Sequence, residues 1–536
     1  MDRRMRHDAT VLHDLPLLAA ERTPMAFALQ DGNSAMTYAE VTQQILELAG
    51  ALSALDVQRG ERVAIYLDKR RETVIASFGA TAHGAVFVPI NPLLKPDQVG
   101  YILRDCSVCA LVTSDERLQA LEPILVDCLA LRHVILVNAP ALARPPGVVS
   151  VHRWVEVLQA SNAVSHHVID SDIASILYTS GSTGKPKGVV LTHRNMVAGA
   201  KSVASYLGNH SDDVLLAALP LSFDAGFSQL TTAFYAGASV VLLNYLLPRD
   251  VVNAVASHRV TGLTAVPPLW IQLTQVKWPA DAGSHLRYFA NTGGRLPRDT
   301  LIALRALLPR AKPYLMYGLT EAFRATYLPP EEADRRPDSI GKAIPNAEIL
   351  VLRPDGTPCD VGEPGELVQR GALVAQGYWN DAEKTAERFR PLPGRAPELM
   401  QPEIAVFSGD TVRKDEDGFL YFIGRRDEMI KSSGYRISPT EVEEVLYATQ
   451  LIGECAAFGL PHPILNESVG VVVTARNGQA LDVAQLLALC RDRLPAYMVP
   501  ARIEPRVGPL PRNANGKIDR KAIAAQVRSA LEGGTP

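Results

Sequence analysis

An alternation along the chain constrains its fold more than any other feature. Up to about residue 425, short β-branched runs alternate with stretches of helical period. "VAIYL", "CALVTS", "HVILV", "ASILYTS", "DVLLAAL", "ASVVLLN", "GLTAVPP" and "RYFANTGG" read as short, largely buried strands. "NMVAGAKSVASYL" and "RDVVNAVASHRV" read as helices between them. Strands joined through helices stack into α/β layers with substantially parallel sheets.

The texture changes from about residue 347. "EILVLRPDGTPCDVGEPGELVQRG" reads as strand, turn, strand, and "GDTVRKDEDGFLYFIG" repeats the pattern around Asp417-Gly418. After "GRRDEMIKSSGYRISP" comes a compact α+β segment. It holds helix "TEVEEVLYAT", strands "ECAAFGL" and "SVGVVVTA", and helix "VAQLLALCRDRL". The chain has 536 residues, too many for one hydrophobic core. The expected organisation is an α/β protein with a large N-terminal domain over 1–426. That domain combines mixed, substantially parallel sheets with a β-rich subdomain. A small α+β C-terminal domain over 427–536 is expected to follow.

Composition excludes several classes. The formal net charge of −3 implies no broad attraction to nucleic acid. No uninterrupted apolar run reaches membrane-spanning length, and the basic start "MDRRMRHDAT" lacks the apolar stretch of a secretory signal. Six cysteines in the whole chain fit a reducing cytoplasm. Cys106 and Cys109 form a lone C-x-x-C, without the second pair or histidine cluster of a zinc site. Buried, reduced thiols are the expected reading.

The stretch "SILYTSGSTGKPKGVVLTHRN", Ser175 to Asn195, carries the chemistry. Thr179, Ser180, Gly181, Ser182, Thr183 and Gly184 bring small hydroxyls and glycines together just after an expected strand, and Lys185 and Lys187 add positive charge. Glycines let backbone N–H groups approach an anion, and hydroxyls add donors. A phosphate chain suits this inventory. The Walker pattern is excluded: Thr179 stands where its first glycine belongs, and Pro186 follows Gly184-Lys185.

This stretch resembles the signature loop of adenylate-forming enzymes: acyl-CoA synthetases, luciferases and the amino-acid adenylation domains of peptide synthetases. Further landmarks follow in that family's order: "NTGGRLP", "YGLTE", "GELVQRG", "SGD", "GRRDEMIKSSGYRISPTEVE" and "PRNANGKIDR". The resemblance covers most of the chain. It implies that ATP and Mg2+ are used, and that CoA or a carrier-protein phosphopantetheine accepts the acyl group.

It also implies roles. Lys517 bridges the substrate carboxylate and the α-phosphate; otherwise it would be a solvated tail lysine. Glu321 holds Mg2+ and Thr320 contacts the α-phosphate. Tyr317 stacks on adenine, with Gly293, Gly294 and Arg295 on the same side. Asp410 accepts from both ribose hydroxyls, where a plain turn residue is the bland alternative. Arg425 adds a ribose or phosphate contact. Asp427 is the hinge on which the small, mobile C-terminal domain swings after adenylation, and Gly434 lets a pantetheine thiol pass.

The acid pocket departs from one branch of the family. Many fatty or aromatic acyl-CoA synthetases have a gating histidine where Phe223 stands, and Asp224 follows. "SFD" looks more like amino-acid adenylation domains, where the aspartate holds the substrate's amino group. Asp224 therefore reads either as partner to a substrate ammonium or as the N-cap of the apolar-periodic run behind it. The stretches "VVLLNYLLPRD" and "YGLTEAFRATYLPP" most resemble AMP-forming acyl-CoA ligases associated with bacterial exosortase systems. The expected activity is ATP-dependent ligation of a small carboxylic acid to a thiol, with an acyl carrier protein among the candidate partners. A non-thiol acceptor and a non-catalytic nucleotide scaffold are the competing readings.

Overall fold

The computed structural model describes residues 8–138, 149–159, 166–179, 186–394, 398, 400–425, 428–432, 435–462, 465–476, 480–494, 496–513 and 516–532. Four sheets organise them. In the largest, six strands run parallel in the order Phe27–Asp31, Ser239–Leu242, Val214–Ala217, Gly262–Ala265, Tyr288–Asn291 and Lys312–Tyr317. Antiparallel strands finish both edges. The seven-stranded second sheet is parallel from Ser150–Arg153 through Ile173–Thr179, and Lys187–Thr192 closes it antiparallel. All eight expected strands and both expected helices of the α/β region are present.

The two large sheets are joined through helices that no amphipathic pattern betrays. In Arg71–His83 every residue from Glu72 onward is buried, so there is no polar face to give a period. Helix Asp224–Ala236 is buried from Gly226 through Phe234. The Phe227 ring stacks on Phe78 and on Phe87, with centroids 5.7 and 4.8 Å apart. One continuous core thus locks the first turn of Asp224–Ala236 in place.

Both expected hairpins form. Ala347–Leu352 pairs antiparallel with Gly365–Gly371, and Ile404–Lys414 with Leu420–Arg425, within a five-stranded third sheet. The fourth sheet begins at Ile430–Ser432 and is built on the long pair Ile452–His462 and Asn466–Ala475. The change of sheet falls between Arg425 and Ile430.

Cys106 and Cys109 are buried, and their thiols donate to the carbonyls of Ile102 (3.1 Å) and Arg62 (3.4 Å). Burial pushes both thiols up to about 12, which keeps them protonated and poor as ligands.

His193 fastens the N-terminal segment to this core. Its ring is buried, and Nδ1 accepts from the backbone N–H of Leu12 at 2.9 Å. That bond needs an unprotonated Nδ1. Burial, with His13 beside it, lowers the imidazole to about 3. A histidine whose folded value is depressed contributes stability above its free value that is lost as pH falls below it. Acidification from about 6.5 to 4 should therefore remove about 3 kcal/mol through this group. His193→Asn, which keeps an acceptor without titrating, should flatten the loss in melts across that range. An unchanged pH profile would show that other groups govern acid stability.

Candidate active site

A cleft of about 1020 Å³ opens at the C-terminal ends of the parallel strands, the usual ligand position in such sheets. Its floor comes from the turns that follow them. After Tyr288–Asn291, the Asn291 side-chain amide donates to the Gly294 carbonyl at 2.8 Å, tightening the turn. Gly293 adopts φ +77°, a conformation open to glycine. A side chain there would also press on Val266 and on Lys517, so the missing Cβ keeps the cleft open.

After Lys312–Tyr317 the chain makes a 3-10 turn over Thr320–Ala322, then passes through Phe323 at φ +54°. Left-handed backbone is strained for a bulky side chain. Phe323 is fully buried, and its ring occupies the space that a Cβ on Gly199 would fill. This turn delivers Thr320, Glu321 and Arg324 to the cleft together.

Polar groups converge in the cleft. The Tyr317 hydroxyl donates to Asp410 Oδ2 at 2.5 Å, and Arg425 Nε donates to Oδ1 at 3.1 Å. The Asp410 backbone N–H donates to Ser408 Oγ at 3.0 Å, fixing the carboxylate's base. Burial pushes the Asp410 carboxyl up, and Arg425 and Tyr317 oppose it. Glu321 Oε1 accepts from Tyr378 at 2.6 Å, and the Lys187 ammonium lies 5.3 Å from the centre of the Tyr378 ring. A carboxylate anchored by one oxygen at a cleft, with a hydroxyl beside it, is a donor set that suits a hard divalent cation.

The C-terminal segment supplies one more charge. Bonds between Asn513 and Lys517 hold a hairpin: Asn513 N–H to Lys517 O at 2.8 Å, and Lys517 N–H to Asn513 Oδ1 at 3.1 Å. Arg512 pairs with Glu454 and braces the hairpin on the fourth sheet. The Lys517 side chain lines the cleft and lies over Gly293. Burial, then Arg425, hold its ammonium below the usual lysine range, while Asp224 and Asp410 pull it back up.

A family model described as AMP-binding enzyme matches residues 18–379, and one described as AMP-binding enzyme C-terminal domain matches 441–517. The chain belongs to the AMP-binding enzyme family. Over 94% of its length it is 31% identical to part of a linear gramicidin synthase of Brevibacillus parabrevis, and it spans 6% of that much longer protein. It is 30% identical to the L-proline–[L-prolyl-carrier protein] ligase of Pseudomonas fluorescens, covering 96% of this chain and 99% of that protein. Among solved structures, the anthranilate CoA ligase AuaEII in complex with anthranoyl-AMP superimposes with a TM-score of 0.87. It is 26% identical, covering 97% of this chain and 98% of that one.

In this AMP-binding enzyme the expected site residues are distributed as follows. Thr179, Phe223, Asp224, Gly293, Gly294, Arg295, Tyr317, Thr320, Glu321, Asp410, Arg425 and Lys517 all line the cleft. Lys187 does not line the cleft; it stands in register with Thr179, and its ammonium lies by the ring of Tyr378, whose hydroxyl donates to Glu321. Ser180, Gly181, Ser182, Thr183, Gly184 and Lys185 lie outside the described residues, as do Asp427 and Gly434.

One expectation changes. Phe223, not Asp224, is the N-cap of Asp224–Ala236, so the aspartate is the first helical residue and does not cap it. Arg295 lines the cleft as expected, and its guanidinium pairs there with Asp338 (2.9 Å) and with Glu444 of the helix Pro439–Tyr447 (2.6 Å).

Sequence reasoning missed two residues. Tyr378 positions Glu321, and nothing in its local sequence marks it. Arg324 is 3% exposed and stands 3.8 Å from Asp224. Its signal was available as an arginine three residues beyond Glu321 in an otherwise apolar run.

Proposed function

We propose that the protein activates a small carboxylic acid with ATP and passes the acyl group to a thiol. A carboxylate oxygen bonds to the α-phosphorus, and the bond to the departing pyrophosphate breaks. The thiol sulfur of CoA, or of a carrier-protein phosphopantetheine, then bonds to the acyl carbon. The thiol gives up its proton and AMP leaves. The observation that carries this reading is the meeting of Lys517, Thr320, Glu321 and Asp410 in one cleft, drawn from a turn of the first sheet, a strand of the third and a hairpin braced on the fourth.

The roles follow from the chemistry each residue offers. Lys517 neutralises the approach of two anions. Thr320 donates to phosphate, and Tyr317 presents its ring face to a base. Asp410 is held rigid to accept from a diol, with Arg425 at its side. Glu321, steadied by Tyr378, would hold Mg2+, which supplies charge neutralisation for the phosphates. Gly293 and Gly294 give a nucleotide room, and Thr179 and Lys187 flank the loop that would cradle phosphates. Phe223 and Asp224 shape the acid pocket. Arg324 already supplies a cation to Asp224, so its burial does not require an ammonium on the acid. We take 1–426 and 427–536 as the two domains, with Asp427 as hinge and Gly434 at the thiol's passage. Unpaired thiols, most of them buried, support a reducing cytoplasm. A carrier-protein partner is supported by the similarity to the prolyl-carrier-protein ligase, and an exopolymer setting by the resemblance to exosortase-associated ligases.

ATP–pyrophosphate exchange across a panel of acids tests the first half, and thioester formation with CoA or a holo carrier protein tests the second. Absence of exchange with every acid would reject the reading. Exchange without any thioester would point to a non-thiol acceptor. Asp410→Asn should raise the KM for ATP on the order of 10–100-fold and leave the KM for the acid nearly unchanged. Equal effects on both would show that Asp410 shapes the fold and not the nucleotide contact.

A further inference from the structure

Beyond Asp224 the cleft adjoins a small inner chamber of about 20 Å³, and the two share Ala225, Met316 and Arg324 as walls. It lies between the helices His193–Leu207 and Asp224–Ala236 and the strands behind them. A chamber of this size holds one water-sized group. Three of its lining side chains present polar atoms with no hydrogen-bond partner among the described residues: Gln229 Oε1, Thr232 Oγ1 and Arg324 Nε. They are 6%, 2% and 3% exposed. Gln229 is held by its own Nε2, which donates to the Gly226 carbonyl at 3.0 Å. Among the described residues the Arg324 guanidinium makes long polar contacts, 3.4 Å to Thr292 Oγ1 and 3.8 Å to Asp224.

We propose that this chamber is the far end of the acid pocket, and that it selects acids carrying one small, uncharged hydrogen-bonding group, a hydroxyl or carboxamide, at the end of the chain. The inference rests on the adenylation reading above. A hydrocarbon end would leave donors and acceptors buried without partners, each costing as much as a lost hydrogen bond. A charged end would be unmatched, because Arg324 and Asp224 already answer each other. A hydroxyl or amide can both give and take a hydrogen bond, as a threonine hydroxyl, an amide oxygen and a guanidinium N–H together require.

The test is pyrophosphate exchange by the full chain with matched acids. The pairs are 4-hydroxybutanoate against pentanoate, succinamate against 4-methylpentanoate, and 4-hydroxybenzoate against 4-methylbenzoate. Succinate and 4-aminobutanoate serve as charged members. The hydroxyl or carboxamide member should exceed its methyl partner in kcat/KM by on the order of 10–100-fold. Methyl members that do as well, or a charged member that does best, would overturn the proposal. Exchange with none of the acids would remove the adenylation reading itself. Thr232→Val keeps the shape and removes the hydroxyl; it should lower the preference and leave thermal stability unchanged or raised. Arg324→Met should do the same, and the threonine variant decides if that protein fails to fold. A Thr232→Val protein that is less stable but ranks the acids as before would mark a structural hydroxyl and overturn the assignment.

Discussion

Replacing Lys517 with alanine should lower acyl-adenylate formation by about 10²–10³-fold, the loss that follows removal of one well-placed electrostatic stabiliser. Thioester formation from a supplied acyl-adenylate should survive. The split follows from where the lysine is carried. Lys517 sits on a hairpin braced to the fourth sheet by Arg512 and Glu454, while the residues it faces belong to turns of the first and strands of the third. A group delivered from outside can serve one half-reaction and be withdrawn for the next. Pyrophosphate exchange and single-turnover thioester formation measure the halves separately. Equal loss in both would tie Lys517 to the shared framework and remove the case for withdrawal.

Gly226→Ala should be the most damaging substitution outside the cleft's charged groups. Gly226 lies in the first turn of Asp224–Ala236, and a Cβ there would overlap the carbonyl oxygen of Pro220. A backbone carbonyl cannot step aside as a side chain can. The Phe223 N–H also donates to that carbonyl, at 3.4 Å. Relief must come from moving the helix start, and with it Phe223 and Asp224. Overpacking of this kind costs about 3 kcal/mol. Calorimetry should show a lowered transition. Any protein that folds should show a KM for the acid raised far more than that for ATP. A variant with wild-type stability and wild-type KM values would show that the helix start has room to spare.

What the sequence disclosed and what it hid have distinct causes. The parallel strands and both hairpins were legible because β-branched runs and turn residues are local signals. The helix Arg71–His83 was not, because burial on every side erases the period that marks a helix. Membership of the cleft was legible for residues that lie in contiguous motifs, as for Thr320, Glu321, Asp410 and Lys517. Tyr378 escaped because it meets Glu321 across 57 positions of chain. Arg324 escaped for another reason: its meaning depends on Asp224, 100 positions earlier, and only the strained turn at Phe323 brings the two together. The capping alternative for Asp224 differed from the outcome by a single residue, the scale on which helix ends are least legible.

Lys517 and Arg425 have one more consequence. Two like charges are drawn toward the same space, and each makes the other harder to keep there. A highly charged polyphosphate pays for that proximity; an adenylate, once pyrophosphate has gone, carries less negative charge with which to do so. If the C-terminal segment moves as proposed, cleft closure and chemical progress would be coupled by simple electrostatics. The enzyme would be drawn shut by its reactant and less firmly held by its own intermediate. The reaction itself would set the moment of release, and added salt, by screening both terms, would blur it.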